Sequence, residues 1–174
     1  YAPAWSPDGK KIAYTDKALN LYTIDLETKE PVRVDADTYD HPERSLHPAW
    51  SPDSKWITFN EGMDNANNAV FLYNVENQQK LQVTGGFYDD SNPVFSVDGK
   101  YLFFLTDRSM QPVYSDMDDG TWVYPNATQV AAMALTAETP SLLSAKNDEL
   151  KEAKKEDDKE AEGEKDKKKK GKEK

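Results

Sequence analysis

Three stretches decide the fold: APAWSPDGKKIAY (Ala2–Tyr14), HPAWSPDSKWITF (His47–Phe59) and NPVFSVDGKYLFF (Asn92–Phe104). They are one sentence written three times. Trp5, Trp50 and Phe95 are spaced by 45 residues, and so are Asp8, Asp53 and Asp98. A fixed period of about 40 to 50 residues, each unit a set of short strands, is the mark of a β-propeller blade. The expected class is therefore all-β: a partial β-propeller of about three four-stranded antiparallel blades. Propellers close into rings of roughly 4 to 8 blades, so three blades are expected to be a portion of a larger protein.

Each repeat translates into strands. The first strand, a, is the short apolar run ending in Trp5, Trp50 or Phe95, with small Ala4 and Ala49 suited to a crowded ring centre. The aromatics are expected to occupy equivalent buried positions between blades. Pro-Asp-Gly-Lys is turn chemistry: proline presets φ, aspartate bonds the backbone two residues on, and glycine takes positive φ. Ser54 stands where Gly9 and Gly99 stand in the other repeats, and is expected to cost something at that turn. Strand b follows at 11–15, 55–60 and 100–106, and strand c at 19–26, 69–75 and 130–135. Strand d falls at 31–34 and 80–84, with no clear counterpart after Leu135. The blades then span 1–45, 46–90 and 91–144, the last with an insert at 107–128.

Composition divides the chain. Residues 151–174 hold 11 of the 22 basic and 9 of the 32 acidic residues, with no aromatic or β-branched side chain. Such a segment buries too little apolar surface to offset chain entropy, so 145–174 read as a charged, disordered linker. The rest keeps 11 basic and 23 acidic residues, a net charge of −12. That balance argues against nucleic acid, since neutralising phosphates takes clustered Lys and Arg. No stretch is long and apolar enough for a membrane-spanning helix. The absence of cysteine removes disulfides, thiolate metal sites and thiol nucleophiles.

In an up-and-down blade the a–b and c–d turns share one side, and the b–c and d–a connections share the other. The first side is tight. The second carries b–c loops that lengthen along the chain (16–18, 61–68, 107–129) and d–a loops at 35–46 and 85–91. Long loops in a compact repeat tend to carry function, so this face, with Tyr39, His41, Arg44, Asp64, Tyr88, Arg108, Tyr114 and Trp122, is the candidate binding surface. A metal site needs three or four convergent ligands; the two histidines, His41 and His47, offer no such spacing. Asp116 to Gly120 misses the calcium-loop offsets and lacks the bidentate glutamate. Asn126-Ala127-Thr128 fits a glycosylation sequon, a pattern frequent by chance. No serine elbow, zinc-peptidase motif or phosphate loop is present. The reading assigns no catalytic residue, no metal and no cofactor to this chain.

The unit x-P-x-W-S-P-D-G-K-x-I-A-[YF], followed by x-L-Y-x-x-[DN]-[LV] and a short "LT"-like strand, resembles the TolB-type propeller repeat over residues 1–106. That repeat is shared by TolB, by propellers of prolyl-oligopeptidase-like hydrolases and by tricorn-type serine peptidases. FFLTDRSMQPVY (Phe103–Tyr114), a divergent insert, QVAAMALTAETPSLLSAKNDE (Gln129–Glu149) and then a charged run resemble the end of the second propeller of the tricorn type. The resemblance implies a non-catalytic portion of a serine peptidase that guides or filters peptides or unfolded polypeptide toward an active site located after this propeller. Its partners would be the remaining blades and catalytic domains of the parent chain. It further implies oligomeric assembly, and a periplasmic or exported setting over a cytoplasmic one. Arg108, Tyr114 and Trp122 are the candidate substrate-gating residues. The other readings are a stand-alone TolB-like module that binds partner proteins and the propeller of a prolyl-oligopeptidase-like hydrolase.

Overall fold

The structure, a computed structural model, describes residues 1, 3–38, 46–109, 113–114, 122–123 and 126–143. The expectations for the charged tail, and for Tyr39, His41, Arg44 and the 116–120 turn, lie outside the described residues. Tyr1–Leu142 form one compact unit; of the second, Leu143–Lys174, only Leu143 is described. No helix of the described residues is long and apolar enough to cross a membrane.

Blade 1 is an antiparallel sheet of β1 (Ala4–Trp5), β2 (Lys11–Thr15), β3 (Asn20–Asp25) and β4 (Pro31–Ala36), in that order. Blade 2 repeats it with β5 (Ala49–Trp50), β6 (Trp56–Gly62), β7 (Asn68–Asn74) and β8 (Gln79–Gln82). Blade 3 has β9 (Asp90–Phe95) and β10 (Tyr101–Thr106). Its long connection carries a hairpin, β11 (Val113–Tyr114) with β12 (Trp122–Val123), before β13 (Gln129–Ala134) returns beside β10. Its order is β9-β10-β13, three strands among the described residues. The register is held from blade to blade: Trp5 faces Ile12, Trp50 faces Ile57 and Phe95 faces Leu102.

The turn of the repeat is built by its own side chains. Ser6 Oγ donates to Asp8 Oδ1 at 2.6 Å and accepts from the Lys11 amide at 2.9 Å, while the Lys10 amide donates to Asp8 Oδ1 at 3.0 Å. Ser51 with Asp53, and Ser96 with Asp98, repeat the arrangement. These hydrogen bonds, the serine's first and the backbone's second, hold the Asp8 and Asp98 carboxyls below the ordinary aspartate value. Gly9 and Gly99 take φ of +70° and +68°, and Ser54 takes +60° in the same slot. The serine accepts that backbone because its Oγ, buried in the seam between blades, receives the Asp8 amide of blade 1 at 3.1 Å.

Alternation along β6 and β7 divides the core. Ile57 and Phe59, with Phe71 and Tyr73, face blade 1 and close over Ala13, Leu21 and Leu46. Val70, with half-buried Leu72, faces blade 3 and meets Leu102, Phe104 and Phe95. The expectation that all three repeat aromatics are buried fails at Trp5, which is 60% exposed, while Trp50 and Phe95 are half-buried. The reason lies in which neighbour each uses. Trp50 leans on blade 1, donating Nε1–H to the Ala4 carbonyl at 2.9 Å, and Phe95 packs into the cluster shared with blade 2. Among the described residues no blade lies on the corresponding side of Trp5.

Candidate functional site

The loop face of blades 2 and 3 is organised by short polar side chains. Residues 63–67 turn with Ala66 at φ +64°. Asn65 Nδ2 then donates to the Gly86 carbonyl at 2.8 Å, and Asn67 Nδ2 to the Phe87 carbonyl at 2.8 Å. Asn68 donates both its amide and its Nδ2 to Asp89 Oδ1, each at 2.8 Å. Gly86, at φ +70°, lies so close to Met63 that a Cβ there would stand 3.0 Å from its Cγ. The b–c connection of blade 2 and the d–a connection leading to blade 3 are thus fastened together. Asn is suited to this because its side chain offers donors and an acceptor on a short stem.

Arg108 stands just beyond β10. Its Nη2 lies 3.2 Å from Asp90 Oδ2, its Nε donates to Thr106 Oγ1 at 2.9 Å, and its guanidinium carbon lies 5.2 Å from the centre of the Tyr88 ring. The Asp90 side chain is buried, at 2% exposure, whereas that of Arg108 is 46% exposed. A cation held at three points with its outer edge in water can meet a passing carboxylate or carbonyl without losing much side-chain entropy. Phe87, 78% exposed, stacks edge-on against Tyr88 beside it. Of the three residues singled out in the sequence, Arg108 is placed on this face. Tyr114 and Trp122 are set opposite one another in the β11–β12 pairing; their side chains lie outside the described residues. Asp64 is exposed, and Asn126 is exposed with φ +55°. His47 lies half-buried, two residues before β5. Among the described residues no three His, Asp or Glu side chains are grouped to hold a metal.

Two features escaped the sequence reading. Lys80 of β8 bridges to Asp35 of β4 in blade 1 and to Glu61 of β6 at 2.5 Å, and its ammonium lies 4.1 Å from the centre of the Phe71 ring. Burial pushes the Glu61 carboxyl above its ordinary value, partly countered by Lys80. Burial would lower Lys80, but its hydrogen bonds to Asp35 and Glu61 outweigh that and raise it. The second feature is a cavity of about 500 Å³ on the opposite, tight-turn side of the blade 2–blade 3 seam, lined by Trp56, Leu72, Leu81, Phe95 and Leu135. It sits where β8 has no counterpart strand in blade 3 among the described residues. The loop face expected to bind is therefore polar and fastened, and the cavity lies away from it.

A family model described as the tricorn protease second beta propeller domain matches residues 1–173. A tricorn protease homolog 2 of Streptomyces coelicolor is 41% identical over 61 residues, 35% of this chain and 5% of that protein. A tricorn-like protease C-terminal subunit of Sulfurisphaera tokodaii is 27% identical over 108 residues, 62% of this chain and 12% of that protein. The crystal structure of the tricorn protease superposes with a TM-score of 0.72 at 20% identity, covering 81% of this chain and 14% of that one. The chain thus spans a small part of each protein it matches.

Proposed function

The chain belongs to the family of tricorn protease second β-propeller domains, and on that premise we propose that it is a non-catalytic propeller portion of a larger serine-type peptidase, guiding peptides toward an active site supplied elsewhere in the parent protein. The observation that carries this reading is the family match over nearly the whole chain. Nucleophilic catalysis needs a nucleophile, a base within hydrogen-bond reach and donors for the oxyanion. The two histidines of this chain, His41 and His47, sit in or next to one inter-blade connection, remote in sequence from the long connection of blade 3. The contribution assigned to the propeller is access rather than chemistry, with Arg108, Tyr114 and Trp122 as the residues that handle the incoming chain.

The test uses the full-length protein and two substrates, a short chromogenic peptide and a long unstructured one. Short substrates need little guidance, so they report chemistry; long ones report entry as well. Arg108→Met, Tyr114→Ser and Trp122→Ser should lower kcat/KM for the long substrate several-fold and leave the short one within twofold, on the order of the loss of one surface contact each. Equal losses on both substrates would defeat the guiding role. Cleavage by the isolated chain, blocked by a serine-reactive inhibitor, would defeat the non-catalytic assignment.

A further inference from the structure

Phe87 is a large apolar side chain that the fold holds in place and leaves in water. Asn67 Nδ2 donates to the Phe87 carbonyl at 2.8 Å and to the Gly86 carbonyl at 3.3 Å, and Asn65 Nδ2 donates to the Gly86 carbonyl at 2.8 Å. Both asparagines come from the connection before β7, so the backbone under the ring is clamped from outside its own loop. The ring itself is 78% exposed and meets Tyr88 edge-on, with centroids 4.9 Å apart. A lone exposed apolar residue is ordinary. Phe87 is instead one end of a row: next comes Tyr88, and then the Arg108 guanidinium, 5.2 Å from the Tyr88 ring. Aromatic side chains and arginine contribute most at recognition surfaces, and more when they are fixed before binding, because less entropy is then lost.

The two ends of the row differ chemically. Phe87 offers apolar surface. Arg108 gives its Nε to Thr106 Oγ1 and its Nη2 to Asp90 Oδ2, while its Nη1 has no partner among the described residues and the side chain is half in water. Those N–H groups need an acceptor. The positive charge is already met by buried Asp90. Asp89 and Asp107, tied together from the Asp107 amide to the Asp89 carbonyl at 3.1 Å, add negative charge beside it. A carboxylate is disfavoured in that setting, whereas a neutral carbonyl is not. Consecutive Cα atoms of a peptide are ~3.8 Å apart. One extended chain can therefore present a side chain to Phe87 and a backbone carbonyl, one or two residues away, to Arg108.

We propose that Phe87, Tyr88 and Arg108 select peptides that carry a large apolar side chain. The side chain lies on the Phe87 ring, a neighbouring backbone carbonyl accepts from Arg108, and acidic residues beside the apolar one are rejected. This rests on the peptide-guiding reading above and deepens it, naming the class of substrate that the Arg108 end of the loop face favours.

The experiment measures binding of labelled, unstructured peptides rich in glycine and serine to the full-length protein inactivated by a serine-reactive inhibitor. One peptide carries a single leucine, the second has alanine in its place, and the third has the leucine between two glutamates. The leucine peptide should bind roughly tenfold tighter than the alanine peptide, as burial of the larger side chain requires. The glutamate peptide should bind several-fold more weakly than the leucine one. Phe87→Ser should abolish the preference for leucine and leave the alanine peptide unchanged, whereas Phe87→Leu should keep most of it. Arg108→Met should weaken the leucine and alanine peptides alike, because both present the same backbone carbonyl. Equal binding of these two peptides, or a leucine preference that survives Phe87→Ser, overturns the inference and leaves the guiding reading standing. A lowered thermal midpoint in Phe87→Ser with the preference intact overturns it too, and assigns the ring to a contact within the parent protein. Tighter binding of the glutamate peptide would show that Arg108 takes an anion and would refute the neutral acceptor. Failure of every peptide to bind removes the guiding reading as well.

Discussion

Ser54 offers a two-sided test of how the repeat tolerates departure from its own pattern. The residue occupies a left-handed backbone slot, φ +60°, which Gly9 and Gly99 fill in the other turns. A non-glycine residue there costs about 1 kcal/mol or somewhat more. Against that cost stands the Asp8 amide, which donates to Ser54 Oγ at 3.1 Å across the seam. A hydrogen bond of this kind nets about 1 kcal/mol, and a buried donor left without a partner costs about 1 to 3 kcal/mol. Ser54→Ala keeps the strained backbone and loses the bond, so it should destabilise by about 1 to 2 kcal/mol. Ser54→Gly loses the same bond but relaxes the backbone, so it should fall within about 0.5 kcal/mol of the parent. The ranking, serine equal to glycine and both above alanine, runs against the usual helix and strand preferences. It is measured as thermal midpoints of the full-length protein, with amide exchange at Asp8 as the local readout. Exchange there should quicken in both variants, whatever the midpoints do. If Ser54→Ala matches the parent, or if the Asp8 amide exchanges no faster in either variant, the inter-blade bond contributes nothing and the account of Ser54 is wrong.

Lys80→Met leaves Asp35 and Glu61 facing one another without their cation. Breaking a fully buried ion pair costs about 3 to 5 kcal/mol; with Lys80 partly exposed, about 2 kcal/mol is expected at pH 7. The Glu61 carboxyl already sits above its ordinary value, so its protonation favours the folded state, and losing Lys80 lifts it further. The loss should therefore shrink as the pH is lowered from 7 to 5, and a deficit that grows toward pH 5 would contradict the pairing. The parent protein should in turn lose the stability contributed by Lys80 only as the pH rises past that group's ordinary value of 10.5 and through its higher folded one. Gly99→Ser should place a hydroxyl where Ser54 has one; a Cβ at Gly99 meets only Pro52, at 3.9 Å. Amide exchange at Asp53 should slow, and unchanged exchange would show that the Ser54 arrangement does not transfer.

Local chemistry was legible because its partners are close in sequence. Ser6, Asp8 and Lys10 bond within five residues of each other, so Ser-Pro-Asp-Gly-Lys could be read as a turn, and the strand-and-turn register followed from it. Arg108 was found because the connection that holds it is long. Asp90 was not, because Phe87-Tyr88-Asp89-Asp90 reads as a polar loop; its place as the first residue of β9 is fixed by pairing with Thr106. Lys80 was hidden in the same way, since the exposed strand Gln79-Lys80-Leu81-Gln82 has no apolar face to announce a contact with blade 1.

Yet these longer contacts obey the period that revealed the fold. The Asp8 amide meets Ser54, and the Ala4 carbonyl meets Trp50, each across 46 residues; Asp35 meets Lys80 across 45. Adjacent blades are copies, so a contact between neighbouring positions of two copies must recur near one repeat length. The seams can therefore be searched in the sequence at that offset. Applied to the second seam, the search finds the contacts missing. At an offset of 46, Asp53 corresponds to Gly99 instead of a serine, and Ala49 to Phe95, whose side chain has no N–H to donate. The first seam is stitched by two hydrogen bonds that the second cannot form, and the cavity of about 500 Å³ opens there, with Asp53, Phe95 and Gly99 in its wall. Close packing needs shape and polar partners to be satisfied together. The wall of that cavity thus holds the two positions, Phe95 and Gly99, whose counterparts Trp50 and Ser54 stitch the first seam.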